Sequence, residues 1–130
     1  MLPADPDAAR ETRLRDRFYD LYVHEPMQKI VGDRLRSPDR RDPHGVAQAH
    51  ATLALSYSML EKHSQTRDAA IGGFTLADCA AAPALYYANK VHPLGDQHPH
   101  VTAYLNRLLG RASFARVLAE AAPYFAQFPG

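Results

Sequence analysis

The 130-residue sequence is poor in several things, and each shortage removes a class of protein. It has one cysteine, Cys79, which excludes an internal disulfide and a cysteine-only metal site. It has almost no charge imbalance: 15 basic and 14 acidic side chains leave a formal net charge of +1. Neither nucleic acid nor a membrane is then expected as a partner, because nucleic acid and anionic bilayers are recognised through a basic surface. It has no apolar run close to the ~20 residues that a membrane span needs. The opening MLPADPDAARETR lacks the apolar core of a signal peptide. With a single thiol besides, a cytoplasmic location is the expectation. No segment shows the two-residue alternation of strands, and no internal repeat is found. A G-x-S-x-G elbow and a glycine-rich phosphate loop are both missing, so neither a catalytic triad nor a nucleotide cradle is supported.

What remains is apolar residues at helical spacing. Apolar side chains make up 46% of the chain and charged ones 22%, the composition of one globular domain over residues 1–130. Asp5 and Pro6 stand as N-cap and first helical residue, since a proline there loses no hydrogen bond. From about Asp7 to the low thirties Leu14, Phe18, Leu21, Tyr22, Met27, Ile30 and Val31 recur at spacings of three and four. Pro26 predicts a kink near Tyr22–Pro26, because it removes one backbone bond and crowds the turn before it. Residues 32–45 mix arginines, aspartates, prolines and glycines and read as a solvated connector. A second helix is expected over about Pro43–Ser64, with Val46, Leu53, Tyr57 and Leu60 on one stripe.

The organising stretch is Gly73–Val91. Thr75 followed by Asp78 gives a capping box, with Thr75 as N-cap and Asp78 reaching back to its amide. The residues after it, Cys79, Ala80, Ala81, Ala82, Ala84 and Leu85, are apolar nearly all round, so the helix over about 75–90 is expected to be buried. Pro83 predicts a second kink. Thr75 and Asp78 are read as a structural helix cap, and Cys79 as an inert buried thiol. A loop follows, then a helix from about Pro99 to Leu109 closed by Gly110 as a C′ glycine. Ser113 is expected to cap a short helix over Phe114–Ala121, and the aromatic tail to lie back over the bundle. The fold expected is all-α, a bundle of five helices (four to six) around the capped helix. His98 and His100 flank Pro99 near Asp96, but H-x-H without a further ligand pattern does not make a metal site, and none is expected.

The residues now on the page resemble the C-terminal all-helical domain of the cytosolic glutathione transferases. The box GGFTLAD at 72–78, the buried alanine-rich helix with its internal proline, the pattern HPxVxxYLxRLxxRxSFxRVL from His98 and the proline-aromatic tail occur in that order. RDRFYDLYVHEPMQKIV looks like the first helix of this domain in bacterial members. The resemblance runs from Leu2 to the end. It implies a hydrophobic-electrophile-binding half of such a protein, with the substrate wall on the first helix: Phe18, Tyr19, Tyr22, His24 and Met27. Phe18 and Tyr22 are open to a second reading, as core or dimer contacts. The resemblance assigns no catalytic residue to this domain. In these enzymes a thioredoxin-like domain holds glutathione and supplies the Ser, Tyr or Cys that activates its thiol, and no such segment occurs in these 130 residues. A natural single-domain protein, a truncated reading frame and a fragment all fit. The domain is therefore not expected to bind a cofactor alone or to conjugate glutathione efficiently. Glutathione becomes the cosubstrate if the other domain is supplied. The alternative is a non-catalytic interaction or ligand-binding module. A homodimer through the first two helices is expected in either case, as is room for a small hydrophobic ligand.

Overall fold

The computed structural model describes residues 2–66 and 74–129. Gly72 and Gly73 of the GGFTLAD box lie outside the described residues. The chain is all-α, with no strand among the described residues. Helix α1 (Pro6–Tyr19) passes through a π-helical turn (Asp20–His24) into α2 (Glu25–Arg34). Then come α3 (Pro43–Thr66), α4 (Leu76–Val91), α5 (Pro99–Leu109) and α6 (Ala112–Ala121). The residues joining α1, the π turn and α2 all keep right-handed helical dihedrals. They form one rod, so the bundle has five helices among the described residues.

The π turn is where the sequence predicts a kink, and its cause is Pro26. An α-helical residue at 26 would donate its amide to the Tyr22 carbonyl, and proline has no amide to give. Ser56 of α3 fills the gap: its hydroxyl donates to the Tyr22 carbonyl at 2.8 Å. Ser56 is buried, so its hydroxyl finds in this carbonyl the acceptor that it would otherwise lack. The proline of the first rod thus leaves free the acceptor that pins it to the second. Pro83 behaves differently. Helix α4 runs unbroken through it, and Pro83 and Cys79 one turn earlier are both exposed. The carbonyl that Pro83 leaves without an amide belongs to Cys79, on the solvent side.

Helix α4 packs most extensively against α1, and also against α2 and α5. Ala77, Ala81, Ala82, Ala84, Leu85, Ala88 and Val91 face this core with Val23, Ile30, Leu53, Tyr57 and Val101. Small side chains let the neighbouring rods come close. The expectation of burial all round is corrected at one stripe: Cys79 is exposed, because positions 79 and 83 point away from the bundle.

Two terminal assignments also change. Gly110 has φ −76°, so it ends α5 without the left-handed turn expected of it. Helix α6 starts at Ala112 with Arg111 as N-cap, two residues ahead of the expected Ser113 cap and Phe114 start. Arg111 is held there over the Phe74 ring, 3.8 Å from its centroid. The connector 32–45 contains a short 3-10 turn (Pro38–Arg40). It is tied down by Asp42, which accepts the Gly45 amide at 3.0 Å and the Lys29 ammonium at 2.7 Å. A Cβ on Gly45 would fall 2.2 Å from the Asp42 carboxylate and 2.7 Å from Lys29 Cε, so a larger residue there would push this ion pair aside. The tail lies on α4 as expected. Phe125 and Phe128 pack on Tyr86 and Tyr87, and Arg34 holds the Pro129 carbonyl at 2.8 Å.

Candidate functional site

The five residues assigned to a substrate wall divide by their place on the first rod. Tyr19 and Met27 are buried, each 4% exposed, and both belong to the central cluster. Phe18 is partly buried against that cluster. Tyr22 is 51% exposed and its ring lies 5.4 Å from that of Phe18. His24 is half-buried at the end of the π turn. The outward group is therefore Phe18, Tyr22 and His24, on the segment that the π turn deforms. It offers an apolar edge, one phenol hydroxyl and one imidazole, which suits an apolar molecule carrying a hydrogen-bonding group.

Tyr19 is engaged inside. Its hydroxyl is bonded to that of Tyr104 on α5, and the Tyr104 hydroxyl donates to the Asp78 carboxylate at the start of α4. Burial pushes the Tyr19 hydroxyl up to about 12, with nearby Arg15 offsetting part of the rise and Asp78 adding to it. Burial likewise raises Tyr104, and Tyr19 and Asp78 add to the effect because a phenolate there would face their negative charge. Both phenols stay neutral donors below pH 10. Asp78 also accepts the Thr75 amide at 2.7 Å and the Thr75 hydroxyl at 3.2 Å. Thr75 and Asp78 form the capping box expected of them. One carboxylate thus closes the start of α4 and, through two phenols, ties it to α5 and α1.

Two further clusters carry titratable groups. Glu61 of α3 is 6% exposed and accepts the amides of His100 and Val101, both at 2.9 Å, and His100 Nδ1 at 2.6 Å. Burial alone would raise its carboxyl. The two amides and the imidazole overcome that and hold it below the usual carboxylate range. Nothing in the sequence near Glu61 signals this role, because its partners lie 39 and 40 positions away. The second cluster surrounds Tyr57. His50 and His92 meet through their Nδ1 atoms at 2.8 Å, Tyr57 donates to the His92 carbonyl at 2.8 Å, and the ring of His98 stands against Tyr57. Among the described residues no group of three or more His, Cys, Asp or Glu side chains is arranged to hold a metal ion, and no helix is long and apolar enough to cross a membrane.

The fold is that of a solved glutathione S-transferase from Methylobacterium radiotolerans, determined in complex with glutathione sulfonate. The match has a TM-score of 0.74 at 24% sequence identity and covers 88% of this chain. This chain spans 56% of that one. A search among curated proteins finds no match. The family model of the glutathione S-transferase C-terminal domain matches residues 43–107, which takes in α3, the capped helix and most of α5. The chain belongs to the glutathione S-transferase C-terminal domain family.

Proposed function

We propose that this chain is the hydrophobic-electrophile-binding half of a glutathione S-transferase-like protein. The observation that supports the reading is the outward aromatic pair, Phe18 with half-exposed Tyr22, set on the π turn beside His24. An aromatic pair left at the surface, on the same rod as the exposed Leu14 and Leu21, is an apolar contact site. The groups needed to activate a thiol belong, in this family, to a thioredoxin-like domain. Conjugation requires a positioned, activated thiolate, so glutathione serves as cosubstrate only where such a domain is supplied.

The 130-residue chain with glutathione and a chromogenic electrophile should show no saturable turnover above the uncatalysed rate. It should still bind an anilinonaphthalene sulfonate probe, and Tyr22→Ala should weaken that binding about fivefold, the value of roughly 1 kcal/mol for an aromatic contact. Saturable turnover by the chain, or probe binding indifferent to Tyr22, would overturn the proposal.

The exposed apolar side chains favour a second reading alongside the first, a homodimer through the first rod and α3. Leu14 is 63% exposed, Leu55 64% and Met59 53%, and Leu55 is next to the Ser56 that docks on the first rod. Apolar surface of this kind is normally covered in solution. Light scattering at high micromolar concentration should give twice the 14.4 kDa chain mass. A monomer would exclude the dimer.

A further inference from the structure

The His50–His92 contact has a feature that ordinary histidine neighbours lack. The two Nδ1 atoms are 2.8 Å apart and the ring centroids 5.1 Å apart. The second distance is the first plus one ring radius at each end. The nitrogens therefore point at each other along the line joining the rings. Two imidazoles chelating a metal would aim their lone pairs at a third point off that line, so this is a contact across one shared proton. One ring must donate and the other accept.

That requirement limits how many protons the pair can hold. With both rings neutral, one Nδ1–H donates to the other Nδ1. With one extra proton the bond persists as imidazolium to imidazole. With two, both Nδ1 atoms are donors, two like charges face each other, and the bond is lost. The surroundings sharpen the limit. His98 stands nearby with its Nδ1 turned to the Leu94 carbonyl, and burial, His50 and His98 all depress His92. The C-terminal end of α4 favours positive charge at His92 and supports the first proton. Asp33 of α2 and Arg41 of the connector line a cleft with His50, and Glu61 and Lys62 of α3 line a site with His98. Among the described residues no carboxylate is bonded to either ring of the pair. The contact also has something to release. His92 opens the 92–98 connector between α4 and α5, and its carbonyl holds Tyr57. Leu94, two residues on, is buried and donates its amide to Asn89.

We propose that the head-on His50–His92 contact is a one-proton latch that clasps the α4–α5 connector to α3 and opens when both rings are protonated. The open connector binds one proton more than the closed one. Closure is then complete above the ordinary histidine value of 6.5 and weakens as pH falls below it, by about tenfold per pH unit for one proton.

The test is amide hydrogen exchange by NMR on the full chain between pH 7 and pH 5, expressed as protection factors. Leu94 should lose about tenfold per unit below pH 6, while Leu85 in the core of α4 keeps its protection. His50→Gln gives His92 a partner that never charges and should flatten the Leu94 profile. The ring resonances of the parent give a second readout that needs no variant. The pair should titrate in two steps, the lower below the ordinary histidine value because two like charges would then face each other. Flat Leu94 protection in the parent, an equal fall in His50→Gln, or both rings titrating in one step near 6.5 would each overturn the latch.

Discussion

Glu61→Ala should lower stability by about 3–4 kcal/mol, the largest loss expected from any single polar side chain here. Helix α5 has no side-chain cap of its own: His98 is its N-cap residue and bonds none of its amides. Glu61 takes that place from another helix and satisfies the amides of His100 and Val101. Val101 is 1% exposed, so its amide has no access to water once the carboxylate is gone. A buried donor without an acceptor costs roughly 1–3 kcal/mol, and the partly buried His100 amide adds less. The His100 imidazole adds little, because its side chain is half-exposed and such pairs are screened. Glu61→Gln keeps one acceptor and should lose about half as much. The sign of the pH dependence follows from the depressed carboxyl. Its contribution is complete above the unfolded value of 4.5 and is lost as pH falls through the lower folded value. Urea melts at pH 7 and across pH 5 to 3 test both points. An unchanged midpoint in Glu61→Ala, or an acid limb as steep in Glu61→Gln as in the parent, would refute the role.

Asp78→Ala should cost about 3 kcal/mol, and Asp5→Ala in α1 only about 0.5–1 kcal/mol. Both are acids at helix starts, and each accepts one nearby amide, at 2.7 Å and 2.9 Å. The difference is what else depends on them. Asp5 is exposed at the end of the chain and holds only the Ala8 amide. Asp78 holds the Thr75 amide and hydroxyl, and through Tyr104 it holds Tyr19. Removing it leaves the half-buried Tyr104 hydroxyl without its acceptor and loosens three helices at once. Asp78→Asn keeps an oxygen in place and should recover about half of the loss. Denaturant melts of the three variants decide the matter. Equal losses in Asp78→Ala and Asp5→Ala would reduce Asp78 to an ordinary cap.

These two acids also mark how far the sequence can be read. The capping box was legible because Thr75 and Asp78 are three residues apart, and a local hydrogen bond leaves a local pattern. The same holds for the helices themselves, whose apolar stripes recur every three or four residues. It holds for Pro26 as well, because a missing amide acts one turn away. Family membership was legible for a related reason: GGFTLAD and the pattern from His98 to Leu118 are short strings with fixed spacing. Of the candidate wall, only the helix that carries it could be read. A π turn changes which residues face out, and no 3.6-residue periodicity anticipates it. So Tyr19 and Met27 turned into the core while Tyr22 stayed outside.

The sequence by itself determined the helices, most of their ends, the place of the helical irregularity before Pro26 and the family. All of these depend on neighbours along the chain. Only the tertiary structure decided that Glu61 caps α5, that Ser56 accepts the task Pro26 left open, that Cys79 faces solvent, and that His50 meets His92 head-on. Each of those is a bond or an orientation between segments 30 or more residues apart, or a face chosen by packing. Such a contact is specified by the shape of the assembled bundle, and a hydroxyl or carboxylate placed for it has no nearby residue to betray its partner.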